Sequence, residues 1–109
     1  MAAATGVLIA QDGNQQFQGV FNRVKTVTAT LDSASVANGA NTTDTVAVPG
    51  VVLGDMVLAL STGVSLAGVA RTAYVSAANV VTISTANTTG GAVDLASTTI
   101  KLVVASPAF

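Results

Sequence analysis

Apolar and polar residues alternate along most of this chain with a period of two, and Gly, Pro, Asn or Asp interrupts the alternation every few residues. Val24–Leu31 (VKTVTATL) reads as a strand, with a bend at Asp32-Ser33 and an extended continuation over Ala34–Ala37. Thr43–Val48 places Asp44, Val46 and Val48 on one face and Thr43, Thr45 and Ala47 on the other, as in a half-buried strand. Val69–Ala77 sets Val69, Arg71, Ala73 and Val75 against Ala70, Thr72, Tyr74 and Ser76; after the tight turn Ala78-Asn79, Val80–Ala86 returns as its hairpin partner. Thr98–Ala105 is the last strand, with Pro107 beyond it. The most apolar stretch is Val46–Leu60, VAVPGVVLGDMVLAL, where Val46–Val48 and Met56–Leu60 flank a tight connection. Pro49-Gly50 suits the centre of a type II turn, and Gly54-Asp55 makes a second break. A strand–turn–strand unit this apolar is predicted to lie inside a packed sheet.

Loops fall at Asn38–Asn41, Ser61–Gly68 and Asn87–Asp94. The result is six or seven strands at intervals of about 8–14 residues, with no long helix and no internal repeat. No connection is long enough for a crossover helix, so parallel βαβ units are excluded. The predicted fold is all-β: an antiparallel β-sandwich, jelly-roll-like.

The first 23 residues differ from the rest of the chain. They concentrate Gln and Asn around Phe17 and Phe21, with a short strand candidate at Val7–Gln11 and a turn signal at Asp12-Gly13. Phe17, Val20, Phe21 and Val24 have the spacing of a helical face, which Gly19 weakens. Two readings stand: a first hairpin or irregular lead-in packed on the core, or an N-terminal arm over 1–23 that grips a neighbouring subunit or an underlying surface. Residues 24–109 form the β-sandwich domain in either case.

Composition narrows the function classes. Half of the 109 residues are hydrophobic, 8% are charged, the net charge is −1, and His, Cys, Trp and Glu do not occur. A chain of this size buries one core without staples. Near-zero charge provides no steering onto nucleic acid or an acidic membrane, and Arg23, Lys25, Arg71 and Lys101 are too scattered for a nucleic-acid footprint. So few surface charges favour association, which points to self-association or a covering partner. The start lacks a basic region and a long apolar run, so no signal peptide is expected. The Gly, Pro, Ser and Thr within Val46–Ala70 argue against a membrane-spanning helix.

Catalytic chemistry has little to draw on. Without His or Cys, neither Ser-His-Asp nor Cys-His arrangements can be built. Asp12, Asp32, Asp44, Asp55 and Asp94 all sit in or beside turn signals, where Asp serves local hydrogen bonds. No acidic cluster matches a calcium loop, and Gly90-Gly91 lacks the Lys and helix of a phosphate loop. Asn41-Thr42-Thr43 and Asn87-Thr88-Thr89 fit the glycosylation pattern, as chance allows in a Thr-rich chain. Tyr74 reads as a cross-strand packing residue. No enzyme activity, cofactor or metal is expected.

One resemblance extends this reading. The order TVTATLDSASVANGANTTDTVAVPGVVLGDMVLAL, a Gly/Ser loop, ARTAYVSAANVVTISTANTTGG and TTIKLVV resembles small β-sandwich domains of tailed-bacteriophage virion proteins. The shared elements are V-x-G-x-x-x-G-D-x-V (Val48, Gly50, Gly54, Asp55, Val57), A-x-V-S-A-A-N-x-V-T-I (Ala73–Ile83) and N-T-T-G (Asn87–Gly90). The resemblance spans about Val24–Val104 and does not reach residues 1–23. It implies a structural virion protein, either a capsid decoration (cement) protein bridging major capsid protein subunits or a head- or tail-fibre module binding a receptor or glycan. For the cement role it implies a homotrimer on the capsid surface, with no nucleic-acid or membrane partner. Such a clamp stabilises the assembled lattice because it binds only the assembled state. The candidate capsid and subunit contacts are then Val7, Leu8, Ile9, Phe17, Phe21 and Arg23.

Overall fold

The computed structural model describes residues 3–13 and 20–108 of the chain. Seven strands follow in order: β1 (Thr5–Gly13), β2 (Phe21–Leu31), β3 (Asn41–Ala47), β4 (Met56–Thr62), β5 (Ala70–Ala77), β6 (Val80–Ala86) and β7 (Thr98–Pro107). They form two antiparallel sheets, one of order β1-β2-β7-β4 and one of order β3-β6-β5. The fold is therefore an antiparallel β-sandwich, as its alternation predicts. Only β1–β2 and β5–β6 are neighbours joined within a sheet; the other four connections pass from one sheet to the other.

The alternation explains the layers. Val27, Ala29 and Leu31 of β2 and Ile100, Leu102 and Val104 of β7 turn inward from one sheet. Val46, Val81, Ile83 and Val75 meet them from the other. Val46 lies opposite Val81, which lies opposite Val75, so one rung of three valines crosses the smaller sheet. Central β6 is rich in β-branched residues, which suit a strand flanked on both sides.

The apolar unit around Pro49 is not a hairpin within one sheet. β3 and β4 lie in different sheets, and their connection arches over one end of the core. Val48 and Val51 explain the difference: both are fully buried, so the connection itself caps the core. A two-residue hairpin turn would leave such residues in solvent.

At the N-terminus, β1 is a strand of the larger sheet, paired with β2 with register shifts between Thr5 and Leu8 and between Ile9 and Gln11. β2 begins at Phe21, three residues before the strand start expected from the alternation; instead of a helical face, Phe21 and Val24 lie in this strand and Val20 in the turn before it. Phe17 lies outside the described residues. The extended run expected over Ala34–Ala37 is reduced to a single bridge, in which Val36 and Val93 exchange backbone hydrogen bonds of 2.8 and 2.9 Å.

Asp44 overturns the expectation that every aspartate serves a turn. It lies within β3, turned inward beside Val46, and is buried. Its polar partner Ser33 lies outside β3, eleven residues earlier in the chain.

Candidate interaction surface

The two ends of the sandwich differ in chemistry. One end gathers the start of β2, the end of β3, the start of β4, the β5–β6 turn and the end of β7. We call this the turn end. Asn79, in a left-handed conformation (φ 65°), is its hub. Its Oδ1 accepts from the Gly50 amide (2.9 Å), its amide donates to Val51 O (2.8 Å), and its carbonyl accepts from the Val48 amide (3.0 Å). From the opposite sheet, the buried Lys25 donates from Nζ to Pro49 O (3.0 Å). Its aliphatic stem thus lines the core while the ammonium serves the turn. The tip is closed by Asp55: Oδ2 accepts from the Val52 amide (3.1 Å) and the Asp55 amide donates to Val52 O (3.1 Å), with Gly54 at φ 102° between them.

This frame presents apolar side chains outward. Val52 is 54% exposed and Leu53 is 68% exposed, at the tip itself. Val20, just before β2, and Met56, at the start of β4, are exposed at the same end, and Leu58 on β4 is exposed at a register shift between Val57 and Ala59. Alternation turns Leu58 outward next to the inward-leaning Val57, and the bulge lets Leu60, three residues after Val57, return to the core. The Ala108 amide donates to Val20 O (2.9 Å), tying the end of β7 to the start of β2.

The opposite, loop end is pinned by polar side chains. Ser33 Oγ donates to Asp44 Oδ2 (2.6 Å), Arg71 Nη2 donates to Ser33 Oγ, and Arg71 Nε donates to Thr85 Oγ1 (3.0 Å). Burial lowers the Arg71 pKa from its usual value, and the negative Asp44 opposes that shift. Thr42 Oγ1, across from Thr85 in the register, is buried without a hydrogen-bond partner; the Thr85 hydroxyl is already engaged by Arg71. Asn87 is fully buried: Nδ2 donates to Val36 O and Gly91 O (2.8 Å each), and Oδ1 accepts from the Thr89 amide and hydroxyl (3.0 and 2.7 Å). Its amide is consumed by the fold, which removes Asn87-Thr88-Thr89 as a glycosylation acceptor in the folded chain. The exposed residues around this end include Ser35, Asn38, Thr88 and Ser97, with Ala34 and Ala37 and the acidic Asp32 and Asp94.

The described members of the expected contact set do not converge on one patch. Val7 and Ile9 lean inward and pack against the core, leaving Leu8 as the exposed apolar residue of the three. Phe21 is half-buried at the start of β2, Arg23 is exposed two residues on, and Phe17 lies outside the described residues. Alternation in β1 packs Val7 and Ile9 against the chain's own core, and the interface role of the set stands as a proposal. Sequence reasoning missed Val52 and Leu53, whose signal was two large aliphatics between Pro49-Gly50 and Gly54-Asp55, inside a turn rather than a strand.

Among the described residues, no three acidic side chains are grouped to hold a metal, and no helix is long and apolar enough to cross a membrane. No protein-family model, no curated protein and no solved structure matches this chain, so its function is argued from its own residues.

Proposed function

We propose that this chain is a structural protein of a tailed-phage particle: a decoration protein on the capsid surface that cements the head by bridging major capsid protein subunits, acting as a homotrimer and without enzymatic activity. The observation that carries this reading is the set of exposed large aliphatics Val20, Val52, Leu53, Met56 and Leu58 towards one end of a sandwich with few charged side chains. An exposed apolar cluster on so weakly charged a chain favours a protein interface. The resemblance of Val24–Val104 to virion sandwich domains supplies the kind of interface, and the four sheet-crossing connections suit a jelly-roll-like winding. Stabilisation follows from mass action: a protein that binds only assembled shell lowers the free energy of the shell.

The reading is tested by co-sedimenting the chain with heads assembled from the shell protein of the phage that encodes it. Saturable binding to heads, with none to dissociated subunits, supports cement; equal binding to both excludes it.

The fibre-module reading is favoured by one feature. Tyr74 is 52% exposed on the outer face of the smaller sheet, opposite Thr82. A ring beside hydroxyl side chains offers a stacking surface for a sugar, and a glycan array distinguishes this role from cement.

A further inference from the structure

We propose that Asn38-Gly39 is a latent self-modification site: the Gly39 amide nitrogen attacks the Asn38 side chain when the loop end opens, and the isoaspartate that results holds that end open. The chemistry is the chain's own and does not depend on what the chain binds.

Asn38 is followed by glycine, whereas Asn14, Asn22, Asn41, Asn79 and Asn87 precede Gln, Arg, Thr, Val and Thr. Without a Cβ, Gly39 leaves its nitrogen open to reach the Asn38 Cγ. The step forms an N–Cγ bond and breaks the Cγ–Nδ2 bond. Nδ2 leaves as ammonia with the Gly39 amide proton, and a cyclic imide remains. Water then opens the imide, at Cγ to give aspartate or at the Asn38 backbone carbonyl to give isoaspartate. Both residues are exposed, so water reaches them.

The fold holds the two reacting groups apart. Asn38 and Gly39 are the central residues of a turn closed by the Ala40 amide on Ala37 O (3.0 Å), with Gly39 at φ 77°, as in a type II turn. The Gly39 amide donates to Asn87 O (2.7 Å), and Asn38 Oδ1 accepts from the Gly90 amide (3.0 Å). The Asn87 amide donates to Ala40 O (3.0 Å), so the β2–β3 and β6–β7 loops clasp each other across the site. Ring closure requires the Gly39 nitrogen to turn toward Cγ and to give up its proton, and the clasp opposes both. Conversion therefore proceeds from the opened loop, and the population of that open form scales its rate.

The two products differ in what they allow. Aspartate keeps an acceptor for the Gly90 amide and an unchanged backbone. Isoaspartate routes the main chain through Cβ and Cγ, which adds one carbon between the residue 38 Cα and the Gly39 nitrogen. The lengthened turn cannot close the Ala40 amide on Ala37 O and the Gly39 amide on Asn87 O together, and the clasp stays open.

The test incubates the native chain at mildly alkaline pH, folded in buffer and unfolded in guanidinium chloride. Each asparagine is followed by peptide mapping that separates aspartyl from isoaspartyl products. Asn38 is expected to convert first among the asparagines of the unfolded chain, and at least about tenfold more slowly in the folded one. In the isoaspartyl fraction, hydrogen exchange is expected to quicken at the Gly39, Ala40 and Asn87 amides while the strands stay protected. A freshly purified Asn38→Asp variant, which carries the aspartate product from the outset, keeps native protection at the same amides. Another asparagine converting ahead of Asn38 in the unfolded chain overturns the site. Equal folded and unfolded rates overturn the guarding clasp. Native protection in the isoaspartyl fraction, or equal loosening in Asn38→Asp, overturns the isoaspartate lock.

Discussion

Asn79 Oδ1 accepts the Gly50 amide at 2.9 Å across twenty-nine residues, locking the β5–β6 turn to the arch that joins the two sheets. The contact needs two things at once: a side chain ending in a carbonyl, and a residue that tolerates φ 65°. Asn79→Ala loses both, and is expected to lower unfolding free energy by about 1–3 kcal/mol. Asn79→Gly keeps the backbone conformation and loses only the hydrogen bond, about 0.5–1.5 kcal/mol. Urea titration checks the ranking, and equal losses would show that the hydrogen bond alone matters.

Two glycines of the same arch separate strain from collision. Gly50 (φ 93°) and Gly54 (φ 102°) both have left-handed backbones, but a Cβ on Gly50 would lie 2.6 Å from Lys25 Nζ, whereas one on Gly54 meets nothing within 4 Å. Gly54→Ala should therefore cost about 1 kcal/mol from backbone strain alone. Gly50→Ala should cost more, and pairing it with Lys25→Met should recover part of the excess. A double-mutant cycle in denaturant measures that coupling.

The loop end supplies the third expectation. Asp44→Ala leaves Ser33 and Arg71 without their acidic partner in a mostly buried setting, with an expected loss of about 2–4 kcal/mol. Asp44→Asn keeps an acceptor for Ser33 and should lose less. The Arg71 contribution carries a sign in pH. Its folded-state pKa is lowered, mainly by burial, so the unfolded chain holds this proton more tightly. Stability from this group therefore rises only as pH climbs through that alkaline window, and is flat around neutrality. Thermal unfolding of native and Arg71→Lys proteins across neutral pH should show parallel profiles.

Asn87 provides the fourth. Asn87→Asp preserves shape but removes both Nδ2 donors, leaving Val36 O with the Val93 amide alone and Gly91 O with the Thr89 hydroxyl alone, beside a buried negative charge. The expected loss is about 3 kcal/mol or more, read as a lower urea midpoint. Hydrogen exchange should locate the loosening in the Val36–Val93 bridge before the strands.

Most strands were legible because their signal is local. Val80–Ala86 matches β6 residue for residue, and Val24–Leu31 falls entirely within β2. What was not legible depends on partners distant in the chain. Nothing in VAVPGVVLGDMVLAL says that its two halves join opposite sheets; only the burial of Val48 and Val51 under the arch does. The alternation did place Asp44 on the face of Val46 and Val48, and the preference of Asp for turns masked that signal. Its partners, Ser33 and Arg71, lie eleven and twenty-seven residues away. The role of β1 was hidden in the same way, since Val7 and Ile9 become core only once β1 pairs with β2. Removing residues 1–23 therefore removes a strand rather than a detachable arm.

The central claim, that this chain cements an assembled shell, is tested most directly by the temperature at which heads rupture, with and without saturating native chain. The account predicts an upward shift that grows with occupancy and levels off when sites are filled, as preferential binding to the assembled state requires. An unchanged rupture temperature at full occupancy would contradict it.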